Sequence, residues 1–140
     1  TWSDEQEKLL WKLGAKQMQG ILFQKVPSGF NKKYKKRMRF TKSRSKILGY
    51  QMRNTFFEPS LITPKNQVDS VLKRIENAFL FKKPAIIGSH RVNYIGVHKE
   101  NNRQNTLKQL KTILKTIMKK WPDVEFMSAA ELSKHMLSRY

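Results

Sequence analysis

The stretch Pro84-Ala85-Ile86-Ile87-Gly88-Ser89-His90-Arg91-Val92-Asn93-Tyr94 decides how this chain is read. A short apolar run closed by Gly and Ser is the pattern of a strand buried on both faces, as in a parallel sheet. A polar cluster of His90, Arg91 and Asn93 follows at once. In open α/β sheets, groups that handle ligands gather beyond the carboxyl ends of the strands. An imidazole in that place suits general acid or base work. An arginine facing the same cleft suits developing negative charge. The competing reading is a histidine that only hydrogen-bonds loop backbone, and spacing does not separate the two.

Helical periodicity flanks this strand on both sides. Upstream, Val68, Val71, Leu72, Ile75 and Phe79 follow the i, i+3, i+4, i+7 rule behind a start at Asn66 to Asp69. Downstream, residues 90–103 read as a polar loop. Asn101 or Asn102 is placed to cap a long helix striped by Leu107, Leu110, Ile113, Leu114, Ile117, Met118 and Trp121, and Pro122 stops it. Val124-Glu125-Phe126-Met127 reads as a last strand, and Ser128-Ala129-Ala130-Glu131 is a capping box that opens a final helix.

Toward the N-terminus, a strand near residues 50–53 runs into Arg53-Asn54-Thr55-Phe56-Phe57-Glu58-Pro59-Ser60, the second stretch placed beyond a strand end. Glu58, beside Phe56, Phe57 and Pro59, is the carboxylate of most interest; pairing with a nearby arginine is its commoner use. Ser3 and Gln6 form a capping box for a first helix, with Asp4, Glu5 and Glu7 in its first turn, a stripe of Leu9, Leu10 and Leu13, and Gly14 just past its end. Ile21-Leu22-Phe23 reads as a short buried strand. The expected order alternates helices with about four mainly parallel strands, an α/β architecture in a single domain over residues 1–140.

Composition adds a charge signature. Lys and Arg number 29 against 10 Asp and Glu, giving +19, and nine of the fifteen positions from 32 to 46 are basic. Such a block attracts polyanions. Phe30, Tyr34 and Met38 recur every four residues there, so residues 29–47 read as a basic loop or a short amphipathic helix, with Phe30, Tyr34 and Phe40 placed to stack on bases. Of the 29 basic residues 21 are Lys, which fits diffuse charge better than paired phosphate-gripping Arg. No cysteine is present, which excludes disulfides, Cys-ligated zinc and a Cys nucleophile. The histidines do not stand in a His-x-x-x-His spacing, no phosphate-binding glycine loop occurs, and no apolar run reaches the length of a transmembrane segment.

The runs 84–96, 121–132 and 53–60 together resemble the C-terminal part of polysaccharide-deacetylase-like proteins of the glycoside hydrolase/deacetylase superfamily. That resemblance implies a partial (β/α) barrel. It also implies a metal-dependent hydrolase that removes acetyl groups from a carbohydrate. By position His90 matches the family's late histidine, the general acid toward the leaving group. Arg53, Asn54, Glu58, Arg91 and Asn93 are then expected to line the substrate groove, with Phe56 or Phe57 as sugar-stacking surfaces. The family's divalent metal, usually zinc, is held by an Asp and two His of a motif this sequence lacks, so no cofactor is assigned to this chain. A closed barrel usually takes about 200 residues or more. The expectation is therefore a C-terminal portion that partners an N-terminal half of the same protein. The alternative is a basic module that binds nucleic acid or another polyanion through residues 32–46.

The purified 140-residue chain is accordingly expected to carry no stoichiometric divalent metal and to be inactive alone. Elemental analysis by plasma mass spectrometry checks this, and one zinc per chain contradicts it.

Overall fold

A computed structural model describes residues 2–28, 33–39, 48–61, 66–96 and 100–138. In chain order the elements are α1 (Asp4–Lys12), β1 (Gln17–Gly20), β2 (Phe23–Ser28), β3 (Lys33–Met38), β4 (Gly49–Met52), β5 (Thr55–Phe56), α2 (Val68–Leu80), β6 (Ile87–Gly88), a 3-10 turn (Arg91–Tyr94), α3 (Glu100–Lys120) and α4 (Ala129–Ser138). The architecture is mixed α/β. The strands form three two-stranded sheets: β1–β4 and β5–β6 are parallel, β2–β3 is antiparallel, and the described strands close no barrel. Packing divides the chain into one unit of residues 1–53 with 127–140 and a second of residues 54–126.

In the first unit, α1 begins as its sequence predicts. Ser3 caps it, the Gln6 side chain returns to the Ser3 amide, and Gly14 follows the helix at φ +92°, where a side chain would be strained. The leucine stripe is not the buried face, because Leu9 and Leu13 are exposed and Glu7 is buried. The first strand lies earlier than Ile21-Leu22-Phe23. Gln17–Gly20 pairs with Gly49–Met52, and the exposed Phe23 begins β2. This strand is polar because its partner answers it: Gln19 donates to the Gln51 side chain at 3.0 Å, and Gln51 donates to the Ala129 carbonyl at 2.8 Å.

The basic segment departs furthest from expectation. Residues 33–38 form a strand, with Phe23 opposite Met38 and Ser28 opposite Lys33. A spacing of four satisfies a helical period and a strand period alike, so Tyr34 and Met38 share a face in either form. Phe30, Lys32, Phe40, Lys42, Arg44 and Lys46 lie outside the described residues. Two of the arginines are structural rather than diffuse charge. Arg37 pairs with Asp4, and Arg39 is buried against Glu7 and Gln24. The Arg37 hydrogen bond holds the Asp4 carboxyl below its ordinary range, and Asp4 in turn raises the Arg37 guanidinium. The Glu131 carboxyl at the start of α4 is likewise lowered, first by the Ser128 backbone N–H in the expected capping box.

The second unit holds the larger apolar core. Phe57, Val71, Ile75, Ile113 and Ile117 are buried together, and Trp121 meets Phe79 edge-on at 5.1 Å between ring centres. α2 follows its predicted stripe behind Gln67, and β5 pairs in parallel with β6 through Thr55–Ile87 and Phe56–Gly88. α3 opens at Glu100, ahead of Asn101 and Asn102. Its buried line runs through Thr106, Gln109, Ile113 and Ile117, which leaves Leu107 and Met118 exposed. Residues 124–128 form no strand: Val124 packs against the core of this unit, and Phe126 and Met127 are exposed.

Ile113→Ala is expected to lower stability by about 2–5 kcal/mol, while Leu107→Ala on the exposed side of the same helix changes it by about 0.5 kcal/mol or less. Urea unfolding followed by tryptophan fluorescence compares the two.

Candidate acid–base site

The site is built in the second unit where β5 and β6 end. Phe57 is fully buried beyond β5, and its amide donates to the Gly88 carbonyl at 3.0 Å. Anchoring Phe57 in the core carries Glu58 inside with it. The Glu58 backbone is gripped on both sides by one amide side chain. Its N–H donates to Gln67 Oε1 at 2.8 Å, and its carbonyl accepts from Gln67 Nε2 at 3.2 Å. Gln67 is itself fixed at the head of α2, where its N–H donates to Gln109 Oε1 of α3 at 3.0 Å.

Donors converge on the Glu58 carboxylate. Oε1 accepts from the His90 backbone N–H at 3.0 Å and lies 2.7 Å from His90 Nδ1, while Oε2 accepts from Asn93 Nδ2 at 2.6 Å. A carboxylate oxygen beside Nδ1 suits the tautomer with the proton on Nδ1, which leaves Nε2 facing outward as the available nitrogen. The burial of the pair is asymmetric. The Glu58 side chain is 5% exposed and the His90 side chain 71% exposed. The anion is held inside, and the imidazole stands in solvent.

Asn93 organises the turn. It is fully buried on the 3-10 turn; its Nδ2 also donates to the His90 carbonyl at 2.9 Å, and its Oδ1 accepts from the Ser60 amide at 3.1 Å and from the Ser60 hydroxyl. Ser89 Oγ donates to the Phe57 carbonyl at 2.7 Å and accepts from the Tyr94 hydroxyl at 3.0 Å. The 3-10 turn exists because these side chains close it. Ser89 and Asn93 stand one turn apart and touch, Asn93 Nδ2 to Ser89 Oγ, at 3.3 Å.

The residues expected at the site separate into groups. His90, Glu58 and Asn93 come together as described, and Arg91 is exposed at the next position after His90. Asn54 braces backbone: its amide donates to the Pro84 carbonyl at 2.9 Å, and its oxygen accepts from the Ile86 N–H at 2.9 Å. Arg53 belongs to the first unit, where its backbone N–H donates to the Gly20 carbonyl at 2.8 Å and its Nε is buried without a hydrogen-bond partner among the described residues. Phe56 is half-buried and Phe57 is core. Ser60, Ser89 and Tyr94 lie in the two stretches that the sequence singles out but received no role there, and Gln67 escaped the sequence reading. The spacing of Ser89 and Asn93 was the available signal, while Gln67 meets Glu58 only through the fold.

Glu58 and His90 do not make a metal set, since no three potential carboxylate or imidazole ligands gather among the described residues. A shallow cleft of about 310 Å³ in the same unit is lined by Asn54, Arg74, Asn77, Ala78, Phe81 and Lys83. None of the groups that hold the Glu58–His90 pair lines it. Comparison with family models, with curated proteins and with solved structures returned no match.

Asn93→Ala removes a donor from Glu58 and an acceptor from the half-buried Ser60, and is expected to cost about 1–3 kcal/mol because the Glu58 carboxylate is left inside with one donor fewer. Chemical denaturation measures the loss.

Proposed function

We propose that this chain is the acid–base portion of a polysaccharide-deacetylase-like hydrolase that removes acetyl groups from a carbohydrate. The observation that carries the proposal is the 2.7 Å contact between an exposed imidazole and a buried carboxylate. An arrangement of this kind orients an imidazole, sets its tautomer and stabilises it when charged. In the reaction, protonated His90 gives its Nε2 proton to the leaving amine nitrogen or alkoxide oxygen as the bond to the acetyl carbon breaks. Glu58 holds the ring and balances its charge. Arg91 stands beside His90 to meet the sugar. Asn54 and Asn93 support the substrate groove from within, as backbone brace and carboxylate donor.

The sequence resemblance over residues 53–60, 84–96 and 121–132 supports the same reading. So does the parallel pairing of β5 with β6, the local pattern a (β/α) barrel repeats. In this proposal residues 1–140 form a partial barrel, and an N-terminal half of the same protein completes the fold and carries the family's metal.

A second reading is polyanion binding through the basic segment. It draws on Lys35 and Lys36, which are exposed on β3.

The test uses the longest native chain that contains these residues, assayed for acetate release from acetylated glycans. His90→Ala is expected to lower kcat by about 10²–10⁴-fold. Glu58→Gln should lower kcat more than it raises KM, because it changes how the ring is held rather than what binds. Nitrogen-15 shifts of His90 provide the independent readout: an Nδ1–H tautomer in the parent protein and a mixture in Glu58→Gln. Undiminished turnover in His90→Ala overturns the proposal.

A further inference from the structure

The antiparallel ribbon β2–β3 presents two faces of opposite character. Successive side chains on a strand alternate sides. Gln24, Val26 and Arg37 are buried or half-buried on one face, where only Lys35 opposite Val26 is exposed among these four, whereas Phe23, Lys25 and Pro27 on β2 and Tyr34, Lys36 and Met38 on β3 are all exposed on the other. The register matches these exposed residues across the ribbon as Phe23 with Met38, Lys25 with Lys36, and Pro27 with Tyr34. The open face is therefore a central pair of ammonium groups flanked at each end by a ring and an apolar neighbour. Phe23, Tyr34 and Met38 are 52%, 54% and 48% exposed, so the rings and the thioether are available to a ligand.

The lysine pair is the informative feature. Like charges directly opposite each other on a ribbon destabilise it, and a two-stranded ribbon is marginal in water. An anion seated between Lys25 and Lys36 removes that repulsion. From Phe23 to the Pro27–Tyr34 pair the ribbon runs about 13 Å at ordinary strand rise. That span matches an extended polymer with flat rings and anionic groups between them.

We infer that the exposed face of β2–β3 is a binding strip for an acidic polysaccharide, with sugar rings against Phe23 and Tyr34 and a sugar carboxylate between Lys25 and Lys36. This rests on the carbohydrate reading above and gives that substrate a charge. The ribbon's arginines are turned to other use, Arg37 on Asp4 and Arg39 buried on Glu7 and Gln24, so an anion on this face meets ammonium groups, and the carbohydrate reading above is what selects a sugar carboxylate. A lipid surface would need the apolar groups to enter together, but here the ammonium pair lies between them and would be carried inside.

The experiment is calorimetric titration of the whole chain with polygalacturonate oligosaccharides at low salt, with dextran, oligothymidylate and phosphatidylserine vesicles alongside. The expected result is binding to polygalacturonate that weakens with salt, with dextran unbound and the other two anions weaker. Lys25→Ser/Lys36→Ser should weaken it at least tenfold, and Tyr34→Ser severalfold. Lys108→Ser/Lys111→Ser, which removes the same charge from exposed positions on α3, should change it less than twofold. Circular dichroism confirms that each variant is folded, and Tyr34→Ser keeps the test alive if the double variant is not. Absence of binding, equal weakening by the two double variants, or tighter binding to oligothymidylate or to vesicles each overturns the inference. The readout is separate from acetate release. Binding without acetate release strikes only the catalytic reading, and acetate release without ribbon-dependent binding strikes only this one.

Discussion

A carboxylate taken out of water must find donors or a countercharge, because leaving it unpaired costs several kcal/mol. This chain buries glutamates that obey that constraint in different ways, Glu7 in one unit and Glu58 in the other. Glu7 accepts from the Trp2 indole at 2.8 Å and pairs with Arg39, whose guanidinium is as buried as the carboxylate. Glu58 accepts from Asn93 and from two nitrogens of His90, whose ring is open to solvent. Much of the local structure serves these needs. α1 is tied to the ribbon through Glu7 and Arg39, and the 3-10 turn is folded around the Glu58 oxygens.

The difference between the two partners separates structure from chemistry. A pair buried at both ends cannot meet a ligand, and breaking it by removing one member typically costs about 3–5 kcal/mol. The Arg39 guanidinium also lies over the Tyr50 ring at 5.6 Å, and burial raises the Tyr50 phenol above its ordinary value. These are the contacts of a core. The Glu58–His90 pair has one member fixed and one free, the arrangement by which enzymes hold a base or acid while exposing its reactive nitrogen. The same contrast recurs in the basic segment. Its described arginines are engaged by acids and a glutamine, while Lys36 is exposed and stands opposite the exposed Lys25 of β2.

Where local chemistry decides an outcome, the sequence was legible. The capping boxes at Ser3 and Ser128 rest on residues three apart, and both appear as expected. α2 carries a stripe strong enough to announce its buried side, and His90 stands in the turn that follows β6. Where two periods coincide, or where polar groups are buried, it was not. Tyr34 and Met38 fit a helix and a strand equally, and cross-strand pairing with β2 settles the matter. The buried side of α3 includes Thr106 and Gln109, which a hydrophobic stripe cannot foretell, since Gln109 is inside to hold the Gln67 amide.

The sequence by itself determined the helices, the capping boxes at Ser3 and Ser128, the excess of positive charge and the candidacy of His90 and Glu58, because each depends on residues close in the chain or on composition alone. Tertiary structure decided that Glu58 and His90, 32 positions apart, meet at 2.7 Å, and that Asn93 holds the carboxylate while Asn54 braces backbone. It also decided that Arg37 and Arg39 belong to the framework and Lys25 and Lys36 to the surface. The physical reason is the same in each case. A polar side chain's role is set by which groups remain to satisfy it once water is removed, and those groups come from elements far apart in sequence.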